Sequence, residues 1–257
     1  LILNTQNTQS SDFLILTLLA YLMTLTEHAA ALFDLTLTPE QAAQFDQFAV
    51  ELADWNQRMN LTAITAPEEV RVKHFLDSLS LVKAITPQPE QQLLDVGTGA
   101  GFPGLPLAML FPAWHVTLME ATAKKLIFIE HIIRIFGLKN AQTLHARAEE
   151  AGQNPAHREQ YDIVTARAVA RLPVLLEYLL PLTKIGGVCI AMKGSTAQTE
   201  LADSAKALKI LGGKFQQVVE IQLPGIEEQH TLIVIEKTRR TPAEYPRKAG
   251  LPGKKPL

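Results

Sequence analysis

The stretch from Leu93 to Gly104, LLDVGTGAGFPG, sets an acid, Asp95, at the end of an apolar run and follows it with Gly97, Gly99, Gly101 and Gly104. Glycines at this density let the main chain bend tightly and come into contact with a ligand. Pro103 is preset for the first turn of a helix that would follow. A strand, a glycine turn and a helix in that order build a site beyond the carboxyl end of a parallel strand, where open α/β sheets hold their ligands. Gly99 to Gly104 also matches G-x-G-x-x-G, which alone is a weak sign of a dinucleotide site.

Outward from this turn the chain alternates. Apolar runs read as strands at 92–96, 115–120, 141–145, 161–166, 187–192, 214–222 and 231–236, with helical periodicity at 123–137, 171–181 and 197–211. Such alternation predicts a mostly parallel sheet covered by helices on both faces. The last two strands are joined by LPGIEEQH, too short for a crossover helix, so they pair antiparallel at or next to the sheet edge. Upstream, residues 38–60 space Phe45, Phe48, Leu52 and Trp55 helically after a Thr38 cap and Pro39, and residues 67–84 repeat the design after Pro67. The expected organisation is an N-terminal extension without function at 1–22, a helical segment at 23–90, a Rossmann-like domain at 91–237 and a basic tail at 238–257.

The 257 residues are 47% hydrophobic, enough for a folded globule. The single cysteine, Cys189, lies in the apolar run GGVCIAM, which excludes a disulfide framework or a cysteine metal site and suits a buried strand position. FLILTLLAYLM at 13–23 is shorter than the roughly 20 residues of a membrane-spanning helix. No basic residue precedes it and no cleavage pattern follows, so the expected location is the cytoplasm. Met23 opens a stretch that reads like an ordinary protein start, the basis for setting 1–22 aside. The net charge of -2 conceals an asymmetry: from Lys237 onward the chain is +6, and the remainder is therefore -8. A basic, proline-rich end suits phosphate neutralisation on a nucleic acid, or equally a solvated tail.

Asp95 and Glu120 shift the reading of the turn. DVGTGAG is the D-x-G-x-G-x-G arrangement that resembles motif I of class I S-adenosylmethionine-dependent methyltransferases. A carboxylate there can hold an ammonium group, directly or through water, whereas it would repel a pyrophosphate. Glu120 ends the second strand, where an acid takes up ribose hydroxyls in either kind of cofactor.

The ordered set LLDVGTGAGFPGLPLAML, WNQRMNLTAIT, VKHFLDSL at 72–79, EATAKKLIFI at 120–129, ARAEE at 146–150, TARAVARL at 165–172 and the tail TPAEYPRKAGLPGKKP is similar to the small-subunit ribosomal RNA methyltransferase G family, the glucose-inhibited division protein B family. The resemblance runs from about Leu37 to the end. It implies a class I methyltransferase fold, a seven-stranded, mostly parallel sheet with one antiparallel strand preceded by N-terminal helices. It also implies methyl transfer from S-adenosylmethionine to N7 of a guanine in 16S ribosomal RNA, with S-adenosylhomocysteine as product and no metal. By position it places cofactor contacts at Gly97 and Phe102, at Glu120, Ala121 and Thr122, at Ala148 and Glu149, and at Arg167; Asp95 and Gly99 join them from the turn itself. Ala148 and Glu149 follow the third strand, where an amide and a carboxylate can read an adenine edge.

Guanine N7 carries a lone pair and no proton, so direct attack on the methyl group needs no base. Alignment supplies much of the acceleration, about 7–11 kcal/mol in the best intramolecular cases. The candidates for a catalytic role are Arg167, whose guanidinium at the mouth of the site could bind cofactor carboxylate or RNA phosphate, and Lys193, at the same sheet edge as Asp95 and Glu120 and within reach of phosphate or the guanine carbonyl. The cations expected to meet RNA are Arg71, Lys73 and His74, then Arg171 and Lys193, then Arg239, Arg240, Arg247 and Lys248 in the tail, with Asn60 beside them. Each alone reads first as a solvated surface charge. His74 reads first as a packing histidine that Asp77, three residues on, can pair with, and WNQRMNLT as a core and turn element with Trp55 inside and Asn60 capping. The resemblance implies 16S RNA or the small subunit as the partner, and a monomer is the expected state. Two rival readings remain at this point. A nicotinamide-dependent dehydrogenase would need a catalytic Tyr/Lys or His set, of which no arranged example is visible. A non-catalytic RNA binder would have no need of an intact glycine turn with Glu120.

Overall fold

A computed structural model describes residues 23–257, so the expectation about residues 1–22 lies outside the described residues. The helices before the sheet are α1 (Leu25–Phe33), α2 (Pro39–Met59) and a helical rod, α3, over residues 67–84. Thr38 caps α2 with a reciprocal capping box to Gln41 and Pro39 occupies its first turn; Asn60 ends it in the left-handed region at φ 48°. The rod is not a uniform α-helix. It opens as an α-turn at Pro67–Glu69, widens to a π-helical register over Val70–Leu76, returns to α at Asp77–Leu79 and tightens to 3₁₀ at Ser80–Ala84. Ser78 Oγ bonds His74 O and Ser80 Oγ bonds Asp77 O, each at 2.5 Å, local bonds that serve the loosened ladder. A wide register turns residues off the ordinary helical stripe, and both His74 and Asp77 are buried.

The sheet and its helices follow as β1 (Gln92–Val96), α4 (Gly104–Leu110), β2 (His115–Glu120), α5 (Ala123–Phe136), β3 (Ala141–His145), α6 (Ala148–Gln153), β4 (Tyr161–Arg167), α7 (Leu172–Leu179), β5 (Thr183–Lys193), α8 (Ala197–Ala202), α9 (Ala205–Leu211), β6 (Gly213–Ile221), β7 (His230–Lys237) and a short α10 (Leu251–Lys254). The spatial order is β3-β2-β1-β4-β5-β7-β6. β1 is parallel to both β2 and β4, so the chain reverses its direction of travel across the sheet there, and the glycine turn sits at that switch point. β7 runs antiparallel to both β5 and β6 and is inserted between them. Seven strands with an antiparallel strand next to the edge match the expected fold. The 197–211 helix divides into α8 and α9 because Ser204 Oγ bonds Glu200 O at 2.7 Å, offering the backbone an alternative to the helical ladder.

Side chains alternate across the strands and feed two cores. On one face Leu93, Val116, Leu118, Ile163 and Ile190 pack with α2, α3, α4 and α5; on the other Leu94, Val96, Met119, Val164, Ala166 and Ile233 pack under α7 and α9. Phe48 of α2 is fully buried, with its ring centroid 5.2 Å from Phe102, 5.4 Å from Phe75 and 6.1 Å from Phe128. Burying such a ring stabilises by about 1.5–3 kcal/mol. This contact ties the helical N-terminal segment to the glycine turn itself. Cys189 is buried in β5, and among the described residues no helix is long and apolar enough to cross a membrane.

Candidate active site

Asp95 is fully buried beneath the turn. Its Oδ2 accepts Thr98 Oγ1 at 2.6 Å and the Gly104 N–H at 2.9 Å, while Oδ1 has no hydrogen-bond partner among the described residues. Burial pushes its pKa up to about 6, against the opposing pull of the Thr98 and Gly104 bonds. An unanswered carboxylate oxygen in the interior is costly unless something comes to meet it. The Gly104 N–H, at the start of α4, is the donor a pyrophosphate would use. Here the protein's own carboxylate takes it, which removes the main attraction for a dinucleotide.

Gly97, Gly99 and Gly101 all have positive φ, 70°, 62° and 94°. Their surroundings differ. A Cβ on Gly101 would collide with the Leu105 side chain, and one on Gly104 would come within 2.5 Å of Leu118 Cδ2. A Cβ on Gly99 would meet nothing nearer than Gly97 O at 4.0 Å. Gly101 and Gly104 therefore serve close packing of the turn on its helix and strand, and Gly99 faces the open side where a ligand can lie. Gly97 sits under Val169, whose Cγ2 would be 2.8 Å from an added Cβ, so the loop after β4 reaches over the turn.

Glu120 ends β2 opposite this open side. Its Oε2 accepts the Gly99 N–H at 3.1 Å and its Oε1 the Thr122 N–H at 2.9 Å. Each carboxylate oxygen keeps a further lone pair, and Lys125 Nζ stands 3.8 Å away. Ala121 and Thr122 are exposed beside it. A buried acid with an unpartnered oxygen under the turn, a second acid at the end of β2 and an open glycine between them suit the ammonium and ribose groups of an amino-acid-bearing nucleoside, so these residues would accommodate S-adenosylmethionine.

Ala148 and Glu149 are buried at the start of α6, but Glu149 Oε1 accepts the Gly250 N–H at 2.9 Å and so faces the C-terminal segment. That segment is docked rather than free. Arg158 donates to Thr241 O, Pro242 O and Tyr245 O at 2.7–3.2 Å, and Gln153 to Ala243 O and Pro246 O at 2.9–3.1 Å. Arg247, assigned to RNA on charge alone, grips Glu177 through Nε and Nη2, the shortest contact 2.6 Å, with Glu177 only 1% exposed. Its charge is neutralised inside the fold, which corrects the expectation of a free basic arm. Arg239, Arg240 and Lys248 remain exposed, Arg239 bonded to Lys209 O.

Arg167 ends β4 at a junction. Nη1 donates to Lys73 O at 2.7 Å and to Asp77 Oδ2 at 2.8 Å, Nη2 lies 3.1 Å from His74 Nδ1, and the guanidinium stands 5.3 Å from the Phe102 ring centroid. Arginine only donates, so His74 Nδ1 is the acceptor and Nε2–H points to Thr62 Oγ1, 2.9 Å away. Burial, followed by the Arg167 charge, lowers the His74 pKa to about 4. His74 also stacks on Phe102 at 4.5 Å. It is a buried side chain packed on Phe102, as its first reading expected, and not an exposed cation, and its acid neighbour Asp77 pairs with Arg167 instead.

Among the other expected RNA contacts, Arg71 pairs with Glu68, Lys73 with Glu69 at 2.8 Å and Arg171 with Asp203 at 2.9 Å, the last pair well exposed. Lys193 is drawn inward, 2.8 Å from Glu200 and bonded to Ala170 O, with a side chain only 10% exposed. Two residues escaped sequence reasoning. His230 Nδ1 stands 2.9 Å from Asp77 Oδ1, and Thr231 pairs in register with Lys193. No local signal marks either, because each acquires its place only through strand pairing. No cluster of three or more His, Cys, Asp or Glu residues suited to a metal is present among the described residues.

The profile of a family described as rRNA small subunit methyltransferase G matches residues 41–232. A protein of that name from Desulfitobacterium hafniense is 48% identical over 224 residues, 87% of this chain and 92% of its own. Its counterpart from Acetivibrio thermocellus is 49% identical over 225 residues, 88% of this chain and 92% of its own. Among solved structures, a SAM-dependent methyltransferase from Aquifex aeolicus aligns with a TM-score of 0.52 at 17% identity, covering 68% of this chain and 96% of that one. Geranyl diphosphate methyltransferase in complex with SAM aligns with a TM-score of 0.51 at 14% identity, covering 63% and 85%. At such identities the likeness establishes the architecture only. The acceptors of the structural neighbours do not transfer.

Proposed function

The chain belongs to the rRNA small subunit methyltransferase G family and has the fold of S-adenosylmethionine-dependent methyltransferases; from that premise we propose that it methylates N7 of a guanine in 16S ribosomal RNA. The observation that carries the cofactor reading is the unanswered Oδ1 of buried Asp95 beneath a glycine turn whose open member, Gly99, is hydrogen-bonded to Glu120.

In this reading Asp95, Gly97, Gly99 and Phe102 hold the methionine end, and Glu120 with Ala121 and Thr122 the ribose. Ala148 and Glu149 stand at the adenine, and Arg167 at the carboxylate end or the incoming RNA. Residues 91–237 form the cofactor-binding unit, and 23–90 the helical segment that closes it. When bound, S-adenosylmethionine supplies an electrophilic methyl group that the lone pair of guanine N7 displaces from sulfur. No proton leaves N7, so the chain's own residues need not act as a base. Their work is to fix the two reactants in line and to exclude water. The Arg167 junction suits that task because it is tied to α3, to the turn through Phe102 and to β4 at once. The exposed cations Arg171, Arg239, Arg240 and Lys248 would meet RNA phosphates, and their contribution should weaken with salt. The protein is assigned to the cytoplasm, acting as a monomer on 16S RNA or on the small subunit.

The test has two arms. Calorimetry with S-adenosylhomocysteine and with NAD should give binding only for the former. Tritium transfer from labelled S-adenosylmethionine to 16S RNA should map to one guanine N7. If Gly97→Arg leaves transfer unchanged, the site assignment is wrong.

A further inference from the structure

We propose that the cavity at the carboxyl ends of β4 and β5 is the socket for the acceptor base and that it selects guanine by its Watson–Crick edge. The inference rests on the methyltransferase reading above and goes beyond it by naming the residues that choose the base. The cavity has a volume of about 230 Å³ and is lined by Asp77, Arg167, Met192, Lys193, His230 and Thr231, among others. It lies across β4 from the turn that carries Gly97 and Gly99: β1 borders β4 on one side, and β5 and then β7 follow on the other. Arg167 belongs to both places, since it lines the cavity and also stands over Phe102 of the turn. A base in the cavity therefore lies beside the cofactor crevice with one arginine between.

The polar groups around the cavity are only partly used. Thr231 is 2% exposed and its Oγ1 has no hydrogen-bond partner among the described residues. Asp77 is 3% exposed; its two oxygens take one bond each from Arg167 and His230, which leaves each oxygen a second lone pair. Lys193 uses two of its three ammonium protons on Ala170 O and Glu200. A buried side-chain oxygen with no partner is the exception in folded proteins, and here Thr231 Oγ1 lines one cavity together with an acid and an ammonium that keep bonding capacity in reserve. Thr231 and Lys193 are register partners, so the hydroxyl and the ammonium start from adjacent strand positions.

Guanine is the nucleobase that answers this set. Its N1–H and N2–H₂ are adjacent donors for a carboxylate, and O6 beside them is an acceptor for an ammonium or a hydroxyl. Adenine offers a lone pair at N1 where Asp77 would face it, an uncompensated repulsion that a buried site turns into discrimination. Held by that edge, guanine keeps N7 out of the contacts and free to react. The carboxylate does a second thing: it opposes the positive charge that grows on the ring as N7 is alkylated, an electrostatic gain present mainly in the transition state.

The experiment compares two synthetic RNAs that differ only at the methylated position, guanosine or inosine, which lacks the N2 amino group. Both are presented in whichever form, free RNA or subunit, the wild-type protein methylates. Wild type should act on the inosine RNA about 5- to 150-fold more slowly, the range of one good two-point base contact. Asp77→Asn should bring the two rates together, chiefly by slowing the guanosine reaction. Thr231→Val, which changes shape little, should raise KM for RNA while the S-adenosylhomocysteine Kd stays within twofold. Equal wild-type rates on the two RNAs, or an unchanged KM in Thr231→Val, would overturn the socket, and these two readouts decide even where Asp77→Asn does not fold. Absence of transfer to any guanosine RNA, or of S-adenosylhomocysteine binding, would instead remove the methyltransferase reading underneath.

Discussion

Arg167 Nη1 stands 2.8 Å from Asp77 Oδ2 across 90 residues of chain, and the two side chains are only 18% and 5% exposed. The pair fixes the end of β4 to the helical rod of the N-terminal segment. Because the contact is largely sheltered from water, removing either partner leaves a charge without its counter-charge, with His230 still beside Asp77 or Lys73 O and His74 beside Arg167, and this costs more than the pair itself contributes. Arg167→Ala should therefore lower the unfolding free energy by about 3 kcal/mol, measured as a reduced urea midpoint at constant slope. Arg167→Lys should recover part of this, since an ammonium can meet Asp77 but cannot also reach Lys73 O and His74 in fork geometry. The double variant Arg167→Ala, Asp77→Ala should lose less than the sum of the singles; strict additivity would mean that the pair is not the source.

The two kinds of glycine in the turn separate binding from folding. Gly99→Ala places a Cβ in open space at φ 62°, so its stability cost should be the left-handed penalty of about 1–2 kcal/mol. Its effect on S-adenosylhomocysteine affinity should be large, at least tenfold, because the Cβ fills the face the ligand needs. Gly101→Ala should do the reverse damage: its Cβ strikes Leu105 in the first turn of α4, so the protein should unfold at markedly lower temperature. Calorimetric Kd and thermal midpoint together check the pair. Equal losses of affinity relative to stability in both would contradict the assignment.

The sheet and the turn were legible in the sequence because their signals are local: period-two apolar runs, a capping Thr38, an acid before clustered glycines. The strands fall within a few residues of expectation, β5 extending back to Thr183. What was not legible depends on partners far along the chain. Charge in the tail is visible as composition, but the acids that neutralise Arg247 and engage Gly250 lie 70 and 101 residues away. His230 meets Asp77 across 153 residues. His74 packs inside, as its first reading expects, but is not one of the RNA-facing cations, since it is buried within the π-helical register over Val70–Leu76.

Asp95 and His74 should give stability two opposing pH dependences. Asp95 has a folded pKa raised from 3.8 to about 6, so its contribution is fully present below the unfolded value and is lost as pH rises through about 6. His74 has a folded pKa lowered from 6.5 to about 4, so its contribution is present above 6.5 and is lost as pH falls through about 4. Each amounts to on the order of 3 kcal/mol over its window, and between pH 4 and 6.5 they nearly cancel. Asp95→Asn should then be the variant whose stability falls on acidification, and His74→Gln the one whose stability rises, by urea unfolding at pH 4.5 and 7. The same carboxylate predicts that S-adenosylhomocysteine binds wild type more tightly as pH rises from 5 to 7, with Asp95→Asn showing a flatter curve.

The docked C-terminal segment predicts a split between two arginines seven residues apart. Arg240 is exposed, whereas Arg247 holds a Glu177 that is 1% exposed, so the two should respond differently to the same truncation. Arg240→Ala should leave the urea midpoint within about 0.5 kcal/mol of wild type and, if it meets phosphate, reduce the salt dependence of RNA binding by about one counterion. Arg247→Ala should destabilise by about 3–5 kcal/mol, because the Glu177 carboxylate then remains buried without its cation. It should also loosen Gly250 from Glu149 and so weaken S-adenosylhomocysteine binding, although Arg247 is remote in sequence from every glycine of the turn. Replacing Glu177 with Gln in the Arg247→Ala background should restore much of the stability by removing the orphaned charge. If it does not, the loss comes from packing of the segment and not from the ion pair.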